Sequence, residues 1–73
     1  MATAAVQALQ LRRENRDLEQ EAEHLEERAK SSLTTEEASA RFTREAEAKH
    51  NLIRANKERI AMLEGSQQTS LFN

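Results

Sequence analysis

Residues 33–64, LTTEEASARFTREAEAKHNLIRANKERIAMLE, decide the architecture. Thr34-Thr35-Glu36-Glu37 has the pattern of a capping box, with Thr34 as N-cap and Glu37 reaching back to the Thr34 N–H. Glu36 and Glu37 also place negative charge where the unpaired N–H groups of a helix start gather. Leu33, just before the cap, is positioned to pack on Ala38 as a hydrophobic staple. Beyond it, Phe42, Ala46, Ile53, Ile60 and Leu63 fall on one stripe of a helix, flanked by Ala38 and Leu52. Lys49 and Asn56 lie on the same stripe and make its centre partly wet. Gly65, following Leu63 and Glu64, is a natural C-cap, so the spacing predicts a helix over residues 35–64.

Upstream, Leu11, Leu18 and Leu25 repeat every seven residues. Taken as d positions of a heptad, they place Ala8, Asn15, Ala22 and Ala29 at a. Leucine at d favours helix–helix packing, alanine at a allows close approach with little buried area, and a lone Asn at a is a register device. A first helix is therefore expected over about residues 3–30, with Thr3 as its N-cap and a fraying first turn. Ser31 and Ser32 interrupt the pattern, which puts a turn at 31–34. The whole reads as all-α: two long helices forming an antiparallel helical hairpin or coiled coil, expected to be oligomeric, each about 40–45 Å long at 1.5 Å per residue. The competing geometry is open, with each helix paired to another chain. Residues 66–73, SQQTSLFN, carry no charge and read as a flexible tail or linker.

Composition agrees with this outline. The chain has 73 residues, 33% charged, with two Phe, no Trp or Tyr, one Gly and no Pro, the profile of long helices without chain-breakers. A chain this short buries only a thin core, so self-association or a larger parent chain is expected. Without cysteine there is no disulfide framework, Cys-based zinc site or thiol chemistry. No basic leader followed by an apolar run opens the sequence, and no stretch approaches the roughly 18 apolar residues of a membrane span. A cytoplasmic location, with no membrane partner, is the expectation.

The net charge of −2 argues against general nucleic-acid binding by electrostatics. Its distribution is more telling. Asp17, Glu19, Glu21, Glu23, Glu26 and Glu27 form an acidic block, whereas Arg41, Arg44, Lys49, Arg54, Lys57 and Arg59 enrich the second segment in bases. A fold-back near residues 31–34 lays the acidic block beside Arg41, Arg44 and Lys49, which favours the antiparallel hairpin. Each exposed pair contributes only about 0–1 kcal/mol.

Leu33, Thr34, Glu36, Glu37, Arg41 and Phe42, followed by Arg59, Ile60, Leu63 and Glu64, form an L-T-x-E-E…R-F…R-I-x-x-L-E succession behind a Leu/Arg/Glu-rich helix. Over about residues 8–65 the chain resembles the helical scaffolding segment, or delta domain, that precedes the shell-forming part of tailed-phage major capsid proteins. The resemblance implies a non-enzymatic module that steers coat subunits into a procapsid, is removed in many cases by a phage protease, and works in the host cytoplasm. Its partners would be further copies of itself or a capsid shell domain. The sequence stops at Asn73 without a shell-forming domain, a departure from that pattern that leaves two expectations: an excised or expressed fragment, or a free-standing helical protein. Leu18, Leu25, Leu33, Glu36, Glu37, Ala38 and Phe42 are also similar in spacing to the exonuclease VII small subunit, although the gap between Leu25 and Leu33 is longer here.

Few residues suggest chemistry. Glu21-x-x-His24 and Glu47-x-x-His50 match the i, i+3 spacing of di-iron bundles, but all four lie off the apolar stripes, so solvated surface histidines are expected and no metal or cofactor. Glu26 and Glu27 are sequence neighbours and diverge on a helix. Ser31, Ser32, Thr34 and Thr35 suit turn and cap chemistry better than nucleophilic catalysis, and no Gly-rich phosphate loop is present. Gln68, Ser70, Leu71 and Phe72, in QTSLF, are similar to short peptides that dock on DNA sliding clamps, which provides an alternative partner. The expected helix-packing interface is Leu11, Leu18 and Leu25 against Phe42, Ile53, Ile60 and Leu63.

Overall fold

A computed structural model describes the backbone of residues 3–72 and the side chains of residues 3–65. Two helices, α1 (Ala4–Lys30) and α2 (Glu36–Phe72), pack against each other as a hairpin. The molecule measures 57 × 17 × 16 Å. With a rise of 1.5 Å per residue, the 37 residues of α2 span about 55 Å and set its length, while the 27 of α1 cover about 40 Å.

Local chemistry starts and stops α1. Thr3 sits in extended backbone (φ −70°, ψ 165°) and its hydroxyl accepts from the Val6 N–H at 3.2 Å, the expected N-cap. Arg28 and Lys30 occupy the last turn, where positive charge offsets the exposed carbonyls. Ser31 (φ −64°, ψ 135°) leaves the helical region, and its N–H still reaches the Arg28 carbonyl at 3.3 Å.

The turn differs in detail from the sequence expectation. Thr35, not Thr34, caps α2: its hydroxyl accepts from the Ala38 N–H at 3.2 Å. The Thr34 hydroxyl instead donates to the Arg28 carbonyl at 2.7 Å, a second bond to the acceptor that also takes the Ser31 N–H. The residue three beyond the cap is then Ala38, so Glu37 is out of position for a capping box. Leu33 is 94% exposed and makes no staple. Ser39 locks the closure by donating to the Ala29 carbonyl at 2.7 Å. Gly65 does not end α2 either. No glycine has positive φ, and the helix continues through Phe72, so backbone that was expected to be a loose tail is helical to that point. The side chains of that segment lie outside the described residues.

The core is a single seam. On α1, Ala8, Asn15, Leu18 and Ala22 are buried, and Leu11, Leu25 and Ala29 are half-buried. On α2, Ala46, Ile53 and Ile60 are buried, while Ser39, Phe42, Lys49, Asn56 and Leu63 are half-buried. Both sets follow alternating spacings of three and four residues, so each helix presents one heptad stripe to the other. Leu52 is not part of it; the side chain is 53% exposed. The three positions with the lowest exposure, Ala8, Ala22 and Ala46, all hold alanine, so the helices approach closely but remove little apolar area from water.

Candidate helix-association interface

The polar residues within the seam are satisfied across it. Asn56 donates from Nδ2 to Asn15 Oδ1 at 2.9 Å, and buried Asn15 donates from its own Nδ2 to the Ile53 carbonyl at 3.3 Å. A buried amide without partners costs about 1–3 kcal/mol, so this pairing makes an Asn tolerable at a core position. Lys49 runs its stem along the stripe and reaches Glu21 on α1 at 2.9 Å. The polar centre expected for the stripe therefore holds three cross-helix contacts.

Charged groups line the flanks. Arg12 pairs with Glu64 near the open end, and His50 Nε2 lies 2.6 Å from Glu26 Oε1 nearer the turn. All four side chains are about half exposed, so screening keeps such contacts weak. Of the bases expected beside the acidic block, Lys49 makes an ion pair with it. Arg41 lies 5.9 Å from the centre of the Phe42 ring on its own helix, while Arg28 on α1 covers that ring at 4.6 Å. This cation–π contact across the turn was not among the sequence expectations; an Arg in the last turn of α1 and a Phe in the second turn of α2 are its signal.

Of the expected packing residues, the hairpin covers Leu18, Ile53 and Ile60 and partly covers Leu11, Leu25, Phe42 and Leu63. A shallow cleft of about 300 Å³ opens on the flank near the turn, bounded by Glu26, Ala29, Ser39, Thr43, Ala46 and His50. The two Glu-x-x-His motifs are not gathered into one site: Glu21 is engaged by Lys49 and His50 by Glu26. Among the described residues no group of three or more His, Cys, Asp or Glu is arranged to hold a metal ion, and no helix is long and apolar enough to cross a membrane. Gln68, Ser70, Leu71 and Phe72 lie outside the residues whose side chains are described.

Outside the seam, larger apolar side chains among the described residues face solvent along the helices: Val6 and Leu9 on α1, and Leu52 and Met62 on α2. The molecule exposes 5913 Å² in all. A compact monomer of this mass exposes about 4,600 Å². Comparisons with protein-family models, with curated proteins and with solved structures find no match to the chain.

Proposed function

We propose that this chain is a non-enzymatic scaffolding or assembly module acting by helix–helix association, in the manner of the capsid delta domain that its sequence resembles. The observation that carries the reading is the mismatch between a thin, alanine-rich seam and apolar side chains left outside it, Leu52 and Met62 above all. A hairpin built this way gains by covering more surface with another helix. Its half-exposed ion pairs suit contacts that form and release with salt, as an assembly scaffold requires.

Light scattering over a concentration and salt series tests the reading. The expected result is an oligomer that grows with concentration and loosens with salt. A monomer at every condition rejects self-association as the activity.

A further inference from the structure

A second heptad stripe runs along α2, turned away from α1. Glu45, Ala48, Leu52, Ala55, Arg59 and Met62 alternate spacings of three and four residues, and all six are exposed. The stripe lies about a third of a turn around the helix from the seam. Leu52 and Met62 are 53% and 69% exposed, and Leu52 sits near the middle of the helix, which runs from Glu36 to Phe72.

We infer that this stripe seats a second copy of the chain, laid antiparallel with α2 against α2 about a two-fold axis at Leu52. The inference rests on the self-association proposed above and names its surface. Glu45 and Arg59 each lie seven residues from Leu52 on opposite sides. Antiparallel pairing centred there brings Glu45 of one copy level with Arg59 of the other, twice. Ala48 falls within one residue of the level of the other copy's Ala55 between them, and their small side chains let the backbones approach. Parallel pairing instead sets Glu45 against Glu45 and Arg59 against Arg59, a like-charge arrangement at both ends.

The charge balance along the hairpin points the same way. Residues 20–50, at the turn end, carry eight Asp or Glu against five Lys or Arg; the rest carries five against six. An antiparallel pair lays each acidic turn end beside the other copy's more basic open end.

The absence of native cysteine makes cross-linking a clean test on the full chain. A mixture of Glu45→Cys and Arg59→Cys proteins under mild oxidation is expected to give the mixed disulfide dimer. Self-linkage of Glu45→Cys in preference to the mixed product overturns the antiparallel arrangement. Leu52→Asp is expected to weaken self-association by about tenfold or more with helicity unchanged. Glu45→Arg weakens it as well, and adding Arg59→Glu restores it, a rescue that holds even if Leu52→Asp fails to fold. An oligomer unmoved by all of these runs through another face, such as Val6 and Leu9, and overturns this inference while the assembly reading stands. A wild-type chain that is monomeric at every concentration overturns both.

Discussion

Asn15 and Asn56 meet across the seam, amide to amide at 2.9 Å, with the Ile53 carbonyl accepting the remaining contact from Asn15. Leucine-rich stripes slide past one another in steps of one heptad at modest cost. A hydrogen-bonded pair does not, because every other alignment leaves two amides facing hydrocarbon. The pair therefore selects one register from several that the apolar residues alone accept.

Replacing Asn15 by Ala is expected to lower stability by about 1–2 kcal/mol, since Asn56 loses its partner. The double change Asn15→Leu and Asn56→Leu is expected to raise the melting temperature while broadening the distribution of species. Thermal unfolding followed by circular dichroism, beside sedimentation velocity, checks both. A double variant that melts higher and stays a single species removes the register role.

Leu18 is the large side chain that α1 buries most fully in the seam. Leu18→Ala is expected to cost about 2–3 kcal/mol in urea unfolding, toward the lower end for such truncations because neighbouring alanines leave room to collapse. Leu18→Asp is expected to abolish the helical signal at 25 °C. Retained helicity after that change would remove Leu18 from the core.

Adjacent threonines at the turn have separable roles. Thr35→Ala removes the N-cap of α2 and is expected to cost about 1 kcal/mol. Glu37→Gln is expected to change stability by only a few tenths of a kcal/mol, the size of a helix-dipole effect at an exposed position. Losses from Thr34→Ala and Glu37→Ala with none from Thr35→Ala would restore the capping box centred on Thr34.

Gly65→Ala distinguishes a helix interior from a C-cap. A Cβ built at Gly65 meets nothing within 4 Å, and the backbone there is not left-handed. The substitution is expected to stabilise by about 0.5–1 kcal/mol and to increase helicity. A loss of stability would mean that the glycine terminates the helix.

The sequence carries the two helices and their pairing openly. Leu11, Leu18 and Leu25 with alanines at the companion positions, and Phe42, Ile53, Ile60 and Leu63 on the other arm, mark the faces that meet. What it does not carry are choices made by contacts between the arms. Thr34 and Thr35 are chemically equivalent as caps, and the decision falls to the Arg28 carbonyl, which takes the Thr34 hydroxyl once the chain has reversed. Asn56 and Lys49 look like flaws in a stripe until Asn15 and Glu21 stand opposite. Gly65 reads locally as a stop, yet Glu64 beside it is still paired with Arg12, so α1 accompanies α2 up to that point. The outward stripe through Leu52 was masked by the stronger inward one on the same helix.

The order of the cross-helix bonds also sets a direction for folding. Thr34 meets Arg28 across 6 residues and Ser39 meets Ala29 across 10, whereas later rungs span 24, 28, 41 and 52 residues. The entropy lost in closing a loop grows with its length, so each rung closes most readily after the one nearer the turn has formed. The hairpin therefore zips from the hydroxyl-bonded turn outward. Its Arg12–Glu64 end is the last to close and the first to open, which makes the termini, and not the bend, the place where the two arms come apart.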